Sequence, residues 1–179
     1  GKSIMCEKPV SLSVEAIPTP ADAVVVCPGP LLALGRDTTQ AALLSVAAQP
    51  RTVTGSVPVG APIESSTLAA PDVAEGIGPE SYTAAPAEDA RVDLVAASSA
   101  TASASDLQGF AAVSCRPPLM ESWLVGGSGA TGAADMIVLS NPGTVAATVE
   151  LVVYAAAGEQ RPPGGAGVVV AAGSQRVIP

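Results

Sequence analysis

Apolar and polar positions along the chain alternate in short stretches broken by Pro/Gly turns, a pattern that predicts β-strands. From Pro9 to Ile17, Val10, Leu12, Val14 and Ala16 alternate with Ser11, Ser13 and Glu15, as in a half-buried strand. Ala21 to Cys27 is a short run, apolar apart from Asp22, closed by Pro28-Gly29-Pro30, which admits no regular structure. Leu31–Gly35, Thr38–Ala48 and Arg51–Val59 follow as strands. Gln40–Ala48 also has the composition of a helical turn, but its place between strands favours the extended form. Further strands are expected at Arg91–Ala97, Phe110–Cys115, Ser122–Val125, Met136–Ser140 and Val168–Ala171, with a last one after Gly173-Ser174. Thr148–Tyr154 has the clearest alternation, with Val149, Leu151 and Val153 on one face. The Ser/Ala run Ser98–Ser105 reads as a hairpin tip. Asn141-Pro142-Gly143, Ala157-Gly158-Glu159 and Pro162–Gly165 read as turns, where Pro fixes φ and Gly accepts a positive φ.

Strands at a spacing of about 8–12 residues predict an all-β fold, an immunoglobulin-like antiparallel β-sandwich. It is expected to be incomplete, or to amount to one and a half domains, and it lacks the Cys…Trp…Cys spacing of a true immunoglobulin domain. Four regions are distinguished. Residues 1–20 are an N-terminal segment whose register the pattern does not fix, and Gly1–Lys8 holds both lysines of the chain. Residues 21–59 hold the first strands, and 91–179 the immunoglobulin-like strands. Between them, 60–90 is a Pro/Ser/acid-rich excursion carrying Glu64, Asp72, Glu75, Glu80, Glu88 and Asp89. Those acids lack the order of a calcium loop, so a solvated excursion with short strands inside it is expected. Gln175–Pro179 looks like a strand entering a turn, so the chain is expected to continue past Pro179. An upstream segment is expected before Gly1.

Composition narrows the function. The chain has 179 residues, is 48% hydrophobic, 13% charged and 2% aromatic, and carries a net charge of -8. Its apolar residues are mostly small, so many weak contacts must replace a few strong ones. Histidine is absent, which excludes a Ser-His-Asp triad and His-ligated metal. Few aromatics and a negative charge argue against nucleic acid as a partner. No apolar run is long enough to span a bilayer, so any membrane association would run through an anchor outside this chain.

Candidate chemistry is sparse. Gly126–Gly132 lacks the Lys of a P-loop and the closing Gly of a nucleophile elbow, and reads as a flexible hairpin loop. Glu121, Asp135 and Glu150 are the carboxylates that a His-free hydrolase would need, but nothing in the sequence sets two of them at a working separation. No catalytic residue, cofactor or metal is expected, and the protein is read as not an enzyme. Trp123, the single tryptophan, either contacts a partner or a glycan together with Tyr154 or plugs an Ala/Val core, and the core role is favoured. Arg36 and Arg116 are expected at the surface. Cys6, Cys27 and Cys115 form no C-x-x-C pair. Cys27 and Cys115 make either one long-range disulfide of an exported protein, leaving Cys6 over, or two of three buried thiols.

One set of motifs is distinctive: Val26-Cys27-Pro28-Gly29-Pro30, Cys115-Arg116-Pro117-Pro118, Glu121-Ser122-Trp123-Leu124-Val125-Gly126-Gly127-Ser128, Leu139-Ser140-Asn141-Pro142-Gly143, Val149–Tyr154 and Gly173–Val177. Together they resemble an actinobacterial family of exported, membrane-anchored proteins of unknown function. The resemblance runs from Ala21 to Pro179, with Gly60–Ala104 too variable to compare. It implies a Cys27–Cys115 disulfide, an N-terminal anchor, an extracytoplasmic, envelope-associated location, and genes beside envelope glycosyltransferases. The expected function is a non-enzymatic β-sandwich interaction module with a protein partner, an accessory subunit of a cell-envelope membrane complex. The alternative is a cell-wall glycan-binding module.

Overall fold

The computed structural model describes residues 19–33, 44–87, 90–105, 107–127 and 135–178. The strand expected at Pro9–Ile17, Cys6, Arg36 and most of the Gly126–Gly132 loop lie outside the described residues. Within them the fold is all-β, without a helix. The strands are β1 (Ala23–Val26), β2 (Leu31–Ala33), β3 (Ser45–Ala48), β4 (Arg51–Val57), β5 (Glu64–Ala69), β6 (Ile77–Ala84) and β7 (Asp93–Ala104). After them come β8 (Leu107–Ser114), β9 (Ile137–Asn141), β10 (Ala147–Val149), β11 (Val153–Ala155), β12 (Gly158–Gln160), β13 (Val168–Val170) and β14 (Ser174–Ile178).

Two sheets organise the molecule. A five-stranded sheet has the order β1-β6-β5-β14-β9, and a three-stranded sheet the order β4-β7-β8. All pairings within them are antiparallel except that of β14 with β5, a short parallel contact at Ser174 and Ala69. Smaller antiparallel pairs join β2 to β3, β10 to β13, and β11 to β12.

Packing follows from side-chain alternation. In β1 and β6 the paired residues Ala23 and Ala84, and Val25 and Tyr82, share one face. In β7, Leu94, Ala96, Ser98, Ala100 and Ala102 are buried, while Asp93, Val95, Ala97, Thr101 and Ser103 are exposed. These inward faces meet in a core of Val25, Cys27, Tyr82, Ala84, Val92, Leu94, Ala96 and Cys115. The Cys27–Cys115 disulfide lies in that core and closes a sequence separation of 88 residues. Beside it, Val26 and Arg116 exchange backbone hydrogen bonds of 2.8 and 3.0 Å, so the five-stranded sheet is tied covalently to the chain leaving β8. In the chain-entropy model a loop of this size stabilises by about 4–5 kcal/mol.

Two further contacts hold the last strand. Gln175, 1% exposed, donates from Nε2 to the Pro28 carbonyl (3.2 Å) and to Ser140 Oγ (3.1 Å). Asp72 Oδ2 accepts from Arg176 Nε at 2.7 Å and from the Val177 amide at 3.0 Å. Both join sequence-distant segments, and no buried side-chain polar atom among the described residues lacks a partner.

Four expectations need correction. The 60–90 stretch does contain strands, but they are no solvated excursion: β5 and β6 lie inside the five-stranded sheet. Gly78 shows how closely they approach, since a Cβ there would lie 2.7 Å from the Leu68 carbonyl oxygen. Ser98–Ala104 is not a hairpin tip. It continues β7, with Ser98, Ala100 and Ala102 buried and Thr101 and Ser103 exposed. Thr148–Tyr154 is split into β10 and β11, since the Leu151 amide turns away to donate to the Gly165 carbonyl at 2.7 Å. Ser122–Val125 forms no strand.

Candidate functional site

Pro117-Pro118 directs the chain out of the core after the Cys115 staple. Proline has no amide to pair and restricts the residue before it. From Arg116 to Gly127 every residue is exposed, and Pro117–Gly127 has no regular structure. The segment is nonetheless rich in large apolar side chains: Leu119, Met120, Trp123, Leu124 and Val125. Trp123 is 70% exposed, so the favoured core role is not the one it has; the core closes with Tyr82 instead.

A second element comes to meet this arm. The hairpin of β11 and β12 pairs Tyr154 with Glu159 and presents both outward. Trp123 and Tyr154 stack with ring centroids 5.6 Å apart and planes inclined by 23°. The Trp123 indole N–H donates to Glu121 Oε1 at 2.6 Å, which orients the ring. The two residues the sequence offered as a partner or glycan contact, 31 positions apart, thus share one surface. Each ring keeps a broad exposed area, beside the carboxylates of Glu121 and Glu159.

The other acids are placed differently. Glu150 pairs with Arg161 at 3.4 Å on the surface, and Glu121 is engaged by Trp123. Asp135 is exposed with its carboxylate beside Gly127, where an added Cβ would lie 3.1 Å from Oδ2, and Arg116 is at the surface as expected. Among the described residues no cluster of three or more His, Cys, Asp or Glu is arranged to hold a metal.

The cavities are open depressions. One of about 580 Å³ lies along β1 and the start of β7, with Asp22, Arg91 and Asp93 among its lining residues. A smaller one, about 300 Å³, is bordered by Pro30, Pro50, Thr52 and Tyr82. The Tyr82 hydroxyl donates to Glu80, and burial first, then Glu80, pushes its pKa above the ordinary tyrosine value. Sequence reading passed over Tyr82, because an isolated tyrosine in a Ser/Thr-rich stretch carries no mark of burial.

These features define a class: a disulfide-stapled all-β protein that displays aromatic and aliphatic side chains on an exposed arm. A disulfide of this kind fits an oxidising compartment. No helix among the described residues is long and apolar enough to cross a membrane. Residues 69–179, more than half of the chain, match a family of unknown function (DUF5719), and the chain belongs to that family. The match begins at the end of β5 and crosses the stretch expected to be too variable to compare; it includes Cys115 and the arm but not Cys27. Neither a curated protein nor a solved structure matches the chain.

Proposed function

We propose that the protein is a non-enzymatic, extracytoplasmic interaction module, an accessory subunit of a cell-envelope membrane complex that contains a glycosyltransferase. Its scaffold in this reading is an immunoglobulin-like sandwich, anchored through a segment outside this chain. One observation carries the proposal: the largest apolar side chains of the arm, Met120 and Trp123 among them, are at the surface while the core cluster is mostly Ala, Val and the disulfide, with Leu94 and Tyr82 its only larger members. Burying a large aliphatic or aromatic side chain stabilises by roughly 1.5–3 kcal/mol, so leaving several outside a sparse core points to a surface that is covered on binding. The disulfide supports the compartment, and the motif resemblance supports the envelope setting.

The test is affinity purification of the protein from gently solubilised native membranes, followed by mass spectrometry. A stoichiometric membrane glycosyltransferase is expected with the natural chain, and loss of it with Trp123→Ala combined with Leu124→Asp. Recovery of the protein alone would sink the reading.

The Trp123–Tyr154 pair favours a second reading, a cell-wall glycan-binding module, because exposed aromatic faces flanked by carboxylates are a surface on which a sugar ring can stack. Tryptophan fluorescence titrated with envelope glycan fragments separates the two. A saturable change abolished by Tyr154→Ala supports glycan binding, and a flat response removes it.

A further inference from the structure

We propose that the edge of β8, which has no partner strand among the described residues, pairs with β8 of a second copy of this chain, antiparallel about a two-fold axis, to form one continuous sheet. This surface is separate from the aromatic arm.

The phase of the backbone ladder defines the edge. The Cys115 amide donates to the Ala96 carbonyl at 2.9 Å. Pairing of β7 with β8 then runs without a break from Ala97 and Ser114 to Ala104 and Leu107. In an antiparallel ladder, alternate residues turn both backbone groups to the same neighbour. Leu107, Gly109, Ala111 and Val113 therefore bond to β7. Gln108, Phe110, Ala112 and Ser114 turn their N–H and C=O groups outward, and among the described residues the three-stranded sheet ends there. Every residue of β8 is exposed. The occupant that satisfies a row of alternating donors and acceptors is another strand.

This edge lacks the devices that ordinarily block such pairing. β8 contains no proline and no charge, and its register has no bulge. From Leu94 to Ser114 the only ionisable residue is Asp106. By contrast β4, at the opposite side of the sheet, is bracketed by Pro50 and Pro58.

Symmetry points to a second copy. An antiparallel edge is complementary to itself, and this one carries no charged side chain that would add to the general repulsion between two chains of net charge -8. A two-fold axis perpendicular to the sheet keeps like faces together. Centred on Phe110, it sets Phe110 beside Phe110 of the second copy, a cross-strand aromatic pair. The outer face already carries exposed Val53, Val95 and Phe110, and the pairing makes that apolar strip continuous across both copies.

The experiment is light scattering coupled to size exclusion on the oxidised chain over a concentration series, with residue-resolved amide exchange. A mass rising to twice that of the chain is expected, with slowed exchange at Gln108, Phe110, Ala112 and Ser114. Ala112→Pro removes an outward amide and none of the bonds to β7, so it should return the mass to one chain with the circular dichroism and the disulfide intact. Phe110→Lys should do the same by placing charge at the axis. A single-chain mass at every concentration overturns the proposal, as does a dimer that both variants leave unchanged.

Discussion

Two neighbouring regions of this molecule are built on opposite rules. Around the Cys27–Cys115 disulfide, small residues pack inward, and Tyr82 is the only aromatic in the core cluster. One residue later the chain emerges, and Leu119, Met120, Trp123, Leu124 and Val125 face solvent. If hydrophobic burial within the chain alone governed their placement, these larger side chains would be inside and the alanines outside. The contrast separates two tasks: a covalent staple and many weak contacts hold the scaffold, while the large side chains remain free for a surface that does not stabilise it.

The sharpest way to break this contrast is to remove the staple. Replacing Cys27 and Cys115 together by alanine should lower unfolding free energy by about 4–5 kcal/mol, read by denaturant titration. A loss below about 1 kcal/mol would mean that the small-residue core is sufficient by itself. A smaller effect is expected at Gly78, where β5 presses on β6. Gly78→Ala should cost about 1–3 kcal/mol, because its Cβ would meet backbone and not a movable side chain.

Tyr82 sharpens the scaffold side through pH. Its folded pKa is raised above the ordinary 10.0, first by burial and then by Glu80. The folded state therefore holds this proton more tightly than the unfolded chain. The contribution is complete below about pH 10 and is lost as pH climbs through the folded value. Alkaline titration of stability should fall less steeply in Tyr82→Phe than in the natural protein, and equal slopes would contradict the assignment. The smallest effect belongs to the arm. Trp123→Ala should change unfolding free energy by less than about 0.5 kcal/mol, as for a surface site, and a loss of several kcal/mol would erase the distinction between the regions.

How far the sequence foretold this structure depends on contrast between neighbouring residues. β1, β4, β9, β13 and β14 were legible because Val, Ile and Leu stand between clear punctuators. The second half of β7 was not, because Ser and Ala give almost no hydrophobic contrast although Ala100 and Ala102 are buried. The break between β10 and β11 depends on Leu151 meeting the distant Gly165, which no local pattern encodes. The same holds for the parallel contact of β14 with β5. At the candidate site, Trp123 and Tyr154 were legible as residues of interest from their rarity. Their stacking and exposure were not, because local pattern favours burying a lone tryptophan in an apolar run.

The single tryptophan offers the most direct test of the central claim that the arm is held outside the core. In the isolated, oxidised protein, Trp123 emission should be red-shifted and readily quenched by acrylamide, and should change little when denaturant unfolds the chain. Blue-shifted emission shielded from quencher in the native protein would place Trp123 in the core and contradict the account.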